Sequence, residues 1–240
     1  SNNQIKVSVI VTCFNLEQYI SRAIRSCLNQ TMPEDEYEVI VVDDASSDSS
    51  RMAIQSFGSQ LIKPIFLDEN VGVAGASNIG IRAASGKYII RVDGDDYINK
   101  NTLLVMSEIL DWNEDIGFVY CDHIVVTEGQ EERRMEINTL EKLLNHGAGM
   151  MFRKLYMESI GLYDPELRNA EDYDLVLRYM ENFSGYHIRA PYYRYFKRPG
   201  SLSTKKSERE DIQQQIRDRN TGHQLRRLAR HLHQRLWPRV

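Results

Sequence analysis

The chain alternates short, densely apolar runs with stretches in which apolar residues return every three or four positions. Residues 7–12 (VSVIVT) form a β-branched run, the pattern of a strand covered on both faces. After it Tyr19, Ile20, Ala23, Ile24, Cys27 and Leu28 share one face at helical spacing, with Asn15 placed to cap the helix. Residues 37–42 (YEVIVV) repeat the strand pattern and end at Asp43-Asp44, and a turn over 45–50 leads to a helix starting near Ser49. Residues 62–67 read as a third strand. Residues 72–85 read as a loop entering a helix, with Gly86 as its C′ terminator. Residues 88–92 (YIIRV) form a fourth strand that runs into Asp93-Gly94-Asp95-Asp96.

This alternation predicts an α/β fold with a mostly parallel central sheet flanked by helices. Ligands on such sheets bind at the carboxyl ends of the strands. Three polar clusters fall at those ends, Phe14-Asn15, Asp43-Asp44 and Asp93 to Asp96, so the topology predicts one shared crevice. The second half is less regular. Residues 117–121 and 124–127 read as two strands paired antiparallel, and 140–144 as a short helix before the loop His146-Gly147-Ala148-Gly149. A strand over 150–153, helices over 154–160 and 171–181, and a last strand over 189–195 follow. Residues 197–211 are polar and loop-like, and a helical tail begins near Ile212 with Leu225, Leu228, Leu232 and Leu236 on one stripe. The expected organisation is one domain over 4–205, split into a nucleotide-binding half (4–98) and an acceptor half (99–205), with a basic helical C-terminal extension over 206–240.

With 240 residues, 42% hydrophobic and 27% charged, the chain can bury a full core. Its apolar runs are too short to span a bilayer, and no leader is read at the start. Cys13, Cys27 and Cys121 are odd in number and lack a CxxC pair, which argues against a disulfide framework or zinc site and for buried thiols in a cytoplasmic protein. The net charge of −4 is unevenly spread, because residues 219–240 hold six Arg and no acid. Such a tail suits packing on its own domain, a homodimer contact, or peripheral contact with the inner face of an anionic membrane. No nucleic-acid recognition motif is present.

The acidic clusters carry the chemistry. A Gly within Asp93-Gly94-Asp95-Asp96 permits a turn that aims more than one carboxylate into a site, and hard cations such as Mg2+ and Mn2+ prefer such oxygen ligands. A cation held there can neutralise a diphosphate leaving group. At Asp43-Asp44 one carboxylate can accept the N–H of a pyrimidine, while capping is the bland alternative. Glu171-Asp172 open a helix, where a carboxylate is held ionised and can serve as general base, though simple helix-end electrostatics would also explain them. Neither a Gly-x-Gly-x-x-Gly fingerprint nor a P-loop follows any strand.

The ordered segments VSVIVTCFN, VIVVDDASSD, NVGVAGASNIGIRAASGKYIIRVDGDD and GLYDPELRNAEDYDLVLR closely resemble the family 2 glycosyltransferases of the GT-A fold, over about residues 6–203. That resemblance implies an inverting transfer of a sugar from a nucleotide-diphosphate sugar, UDP by default, to a hydroxyl of a glycan or lipid-linked acceptor, in surface polysaccharide synthesis. It implies that Thr12, Phe14, Asn15 and Glu17 line the nucleotide end and that Asp43 or Asp44 contacts the base. Asn78 would sit near the nucleotide crevice, and Asp93 would hold the ribose. Asp95, with Asp96, would hold Mn2+ or Mg2+, and Asp172 would be the general base. His146, Glu171 and Arg198 would face the acceptor or the diphosphate. The chain departs from the family pattern at Thr12, where Pro is usual, at Ser77, where Arg is common, and at Arg198, where His is common. A non-catalytic sugar-nucleotide binding module is the alternative. A nucleotidyltransferase is another, but the glycine-rich phosphate loop with a basic residue, normal in that class, is missing.

Overall fold

The computed structural model describes residues 4–58, 60–130, 133–143, 146–167 and 170–198, with 210, 211, 213, 214 and 216 of the tail. The first half builds β1 (Val7–Cys13), α1 (Ile20–Leu28), β2 (Tyr37–Asp43), α2 (Ser50–Gln55), β3 (Lys63–Phe66), α3 (Gly72–Ala83) and β4 (Tyr88–Asp93). The second half adds β5 (Tyr97–Ile98), α4 (Thr102–Trp112), β6 (Ile116–Thr127), β7 (Arg133–Glu136), α5 (Leu140–Leu143) and β8 (Met150–Arg153). It closes with α6 (Lys154–Ile160), α7 (Glu171–Asn182) and β9 (Ser184–Lys197).

Among the described residues the strands form one mixed sheet in the order β3-β2-β1-β4-β8-β6-β9-β5, with β7 on the side of β6. Strands β3, β2, β1 and β4 run parallel, as the alternation of strands and helices predicts. Every residue of β1 and β2 is buried, which explains their unbroken β-branched sequences. Strand alternation divides the core in two. Val7, Val9 and Val11 pack on the face carrying α1 and α4, with Ile20, Ile24, Leu103 and Met106. Ile10, Ile40, Val42 and Ile89 face the other way, toward α3, α6 and α7, with Ala76, Met157, Leu175 and Tyr179. Register then aligns the strand ends: Cys13 lies beside Asp43, and Thr12 beside Asp93.

Three local expectations are corrected. Residues 117–127 are not an antiparallel pair but one long strand, β6, parallel to β9 with irregularities around Asp122. The polar Asp122-His123 step reads like a turn, yet its side chains find partners on neighbouring segments. Asp122 Oδ1 lies 2.7 Å from His187 Nε2 and accepts the Asn138 N–H at 2.8 Å, while His123 Nε2 is 3.4 Å from Glu136. Asn15 does not cap α1, which begins at Ile20. Gly86 does not terminate α3 through a left-handed turn. Any Cβ there would lie 2.6 Å from the Ser8 backbone nitrogen, so the position is glycine because it packs directly on β1.

In the tail, Ile216 is buried in the α3/α6/α7 core, so the start of the extension packs on its own domain. The Arg-rich stretch and leucine stripe beyond it lie outside the described residues. Among the described residues no helix is long and apolar enough to cross a membrane.

Candidate active site

The carboxyl ends of β1, β2 and β4 bring the three sequence clusters together at one edge of the sheet. At the end of β1, Phe14 is nearly half exposed beside buried Asp43. Both Asp43 carboxylate oxygens are buried without a hydrogen-bond partner, and Arg51 Nε approaches Oδ2 only to 3.6 Å. A buried carboxylate left this way normally has a use for its acceptors. Asp44 is different. Its oxygens accept the N–H groups of Val71 (2.8 Å) and Gly72 (2.9 Å) and the Asn70 amide (2.9 Å). Asp44 therefore holds the entry to α3, and Asp43 is the member of the pair with acceptors to offer.

Asn15 and Glu17 shape the loop beside that pocket. Asn15 adopts a positive φ of 53°, and its Oδ1 accepts from the Ser47 N–H at 2.8 Å. Glu17 Oε2 accepts the Ser49 N–H at 2.8 Å, and the Glu17 N–H donates to Asp48. Thr12 is buried, and its carbonyl accepts the Gly94 N–H at 2.9 Å, fixing the acidic turn against β1. Asn78 is buried. Its Nδ2 donates to the Tyr163 carbonyl at 2.8 Å and its Oδ1 accepts the Tyr163 N–H at 3.0 Å. It pins the turn before α7 to α3, so both polar ends of its amide are engaged within the fold.

The acidic turn divides its side chains. Asp96 is 2% exposed and points inward, where Oδ1 accepts the Phe196 N–H (2.7 Å) and Oδ2 the Tyr193 hydroxyl (2.7 Å). Burial, with Asp95 and Asp93 near it, pushes its carboxyl well above the usual range. Asp96 thus anchors β9 through both of its oxygens. Asp95 stays at the crevice, its Oδ2 paired with Arg198 Nε at 2.8 Å. Arg198 therefore reaches the acidic turn, and its guanidinium also sits 5.5 Å over the Tyr19 ring.

Across the crevice, Glu171, Asp172 and Asp174 occupy the first turn of α7, where the helix dipole favours negative charge. Asp172 Oδ2 pairs with Arg91 at 3.0 Å, and its Oδ1 is buried without a partner. Glu171 is buried beside it, and desolvation plus the Asp172 charge push it up to about 7. The His146-Gly147 loop closes this wall. A Cβ on Gly147 would lie 2.7 Å from Asp172 Oδ1. His146 stands one residue away, its ring 4.9 Å from that of His123 and 5.9 Å from that of Tyr195.

Sequence reasoning missed Arg91, which touches Asp93, Glu171 and Asp172 together. It also missed Gly147 and the Tyr193 hydroxyl. The signal for Arg91 was present, since a lone charge inside a doubly buried strand must be paired with something.

A divalent metal would be held by Asp95 and, beside it, Asp93, where it could neutralise a diphosphate. Among the described residues no three His, Cys, Asp or Glu side chains gather into a metal-holding group. Two carboxylates still fit Mg2+ or Mn2+, which routinely complete their shells with water and substrate phosphate oxygens.

Comparison with known proteins agrees with this architecture. The chain is 30% identical over 178 residues to the Staphylococcus aureus poly(ribitol-phosphate) beta-N-acetylglucosaminyltransferase TarS, covering 70% of this chain and 31% of TarS. It is 37% identical over 103 residues to a poly(ribitol-phosphate) beta-glucosyltransferase of Bacillus spizizenii, covering 42% of this chain and 16% of that protein. The chain thus spans less than a third of either relative. It superposes on the crystal structure of S. aureus TarS 1–349 in complex with UDP-GlcNAc with a TM-score of 0.74 and 26% identity, over 88% of this chain and 65% of that one. A mannosyltransferase from Pyrobaculum calidifontis, solved with GDP-Man and Mn2+, shares the fold at a TM-score of 0.66 and 20% identity, over 84% of this chain and 59% of that one. The family model described as glycosyl transferase family 2 matches residues 8–163. With that match, the GT-A architecture and the acidic crevice in agreement, the chain belongs to glycosyltransferase family 2.

Proposed function

We propose that the domain transfers a sugar from a UDP-sugar to a hydroxyl of a cell-surface glycopolymer or its lipid-linked precursor, with inversion at the anomeric carbon. One observation carries the reading. Asp172 is fixed at the crevice wall with one oxygen ion-paired and the other buried and unpartnered. A carboxylate so placed can accept the acceptor's proton as its oxygen attacks. The new carbon–oxygen bond forms as the bond from the anomeric carbon to the diphosphate breaks. The electron pair leaves with the diphosphate, and the proton ends on Asp172. A single displacement needs no enzyme nucleophile.

The donor side is supported by Asp43, whose free acceptors suit a pyrimidine N–H, and by exposed Phe14, whose ring can lie against a base. Asp93 stands at the ribose end. A divalent metal, Mn2+ or Mg2+, would be held by Asp95 with Asp93 beside it and would neutralise the leaving diphosphate. Arg198 adds a fixed positive charge at the same turn. The UDP preference draws on the UDP-GlcNAc bound in TarS, and the surface-polymer acceptor on the names of both curated relatives.

The test is a panel of UDP-sugars with Mn2+ and a ribitol-phosphate or lipid-linked glycan acceptor, read as UDP release and as product by mass spectrometry. Acceptor-dependent UDP release with one donor is expected. Failure of every donor to release UDP, from protein that binds UDP, would leave only a binding module.

A further inference from the structure

In β4, Ile89, Arg91 and Asp93 alternate onto the face that carries α7. Alternation alone therefore sends Arg91 toward the first turn of α7. Its side chain is 10% exposed, and its guanidinium nitrogens are shared among three acids. Nε lies 3.1 Å from Asp93 Oδ1, NH1 3.5 Å from Glu171 Oε1 and NH2 3.0 Å from Asp172 Oδ2. The Tyr163 ring lies 5.1 Å from the guanidinium carbon. Packing alone would be served by another apolar residue, as at Ile89, because a buried ion-pair cluster is rarely worth more than the hydrophobic groups it displaces.

We infer that Arg91 is the positioning residue of the reaction: it occupies one oxygen of Asp172, leaves the other without a partner, and ties the base to Asp93. This rests on Asp172 being the base. Because Oδ2 is engaged by Arg91, Oδ1 is the oxygen left to take the proton. Gly147 bounds Oδ1 on its far side, so the carboxylate is held between a guanidinium and a backbone that admits no side chain. Through Asp93 the same cation reaches the donor pocket. The donor and acceptor halves thus meet on one side chain, and the planar fork of an arginine offers its donors in a fixed geometry that a lysine's point charge lacks.

The experiment compares wild type, Arg91→Gln, Arg91→Lys, Asp172→Asn and the double variant R91Q/D172N. It uses the intact chain, UDP-sugar and acceptor, with UDP release as the readout and UDP affinity measured in parallel by calorimetry. For R91Q we expect kcat to fall about 100-fold, the loss typical of a misplaced reacting group, with donor KM and UDP affinity changed by less than about fivefold. R91K should recover part of kcat. The double variant should be no slower than D172N alone, because Arg91 acts through that carboxylate. Retention of kcat within about threefold in R91Q, a loss confined to KM, or losses that multiply in the double variant would each overturn the inference. Should R91Q melt out, R91K reads the same split between kcat and KM, since it keeps the charge and loses the fork. The reading of Asp172 fails separately: D172N as active as wild type removes the base itself, whatever the Arg91 variants do.

Discussion

Replacing Gly147 by alanine adds one methyl group beside the proposed base and nothing else. The new carbon would stand 2.7 Å from Asp172 Oδ1 and 2.9 Å from its Cγ, against the 3.4 Å at which ordinary contact begins. The carboxylate must retreat by more than half an ångström or the loop must move. Asp is short, and its other oxygen is held by Arg91 at 3.0 Å, so the carboxylate cannot swing aside without breaking that pair. Overpacking of this kind costs about 1–3 kcal/mol. A displacement of about 1 Å in a reacting group is worth roughly 100-fold in rate. Gly147→Ala should therefore lower kcat by about 10- to 100-fold, with donor KM nearly unchanged because the proposed nucleotide pocket lies at the ends of β1 and β2. Steady-state UDP release, with a thermal melt on the same sample, measures both. A kcat within about threefold of wild type in a folded variant would refute the clamp around Asp172.

Three further outcomes follow from the same geometry. Glu171 is raised from 4.5 to about 7, so the folded state binds more protons than the unfolded chain between those values, and stability falls as pH rises through that window. Glu171→Gln should raise the Tm relative to wild type at pH 8 and by much less at pH 5, an effect on the order of 1–3 kcal/mol. Equal shifts at both values would contradict it. Gly86→Ala, whose Cβ would lie 2.6 Å from the Ser8 nitrogen, should lower stability by about 1–3 kcal/mol in urea titrations. Asp43→Asn should weaken UDP binding about tenfold or more by calorimetry without lowering the Tm of the free protein, because its carboxylate makes no hydrogen bond in the fold.

What the sequence disclosed follows from how local each signal is. Strands β1, β2 and β4 are buried on both faces, so their β-branched runs are unambiguous, and their ends predicted where the polar clusters meet. Strand β6 was split because Asp122 and His123 imitate a turn, and the groups that satisfy them, His187, Asn138 and Glu136, come from other elements. Asn15 has the right chemistry for a helix cap but spends it on Ser47, more than thirty residues on. For Asp95 and Asp96 the sequence supplies two equivalent carboxylates. Only the return of β9, with Tyr193 and the Phe196 backbone, decides that Asp96 turns inward. Arg91 was hidden for the same reason, because the acids that give it meaning open a helix some eighty residues later.

The central claim is that Asp172 removes the proton of the acceptor hydroxyl. The most direct measurement is acceptor-dependent UDP release by Asp172→Asn at saturating donor, with the Kd for UDP determined on the same preparation. The asparagine keeps the shape of the side chain and cannot take the proton, so kcat should fall by at least about 1,000-fold while the Kd stays within about threefold of wild type. An Asp172→Asn variant that binds UDP normally and turns over at the wild-type rate would contradict the account.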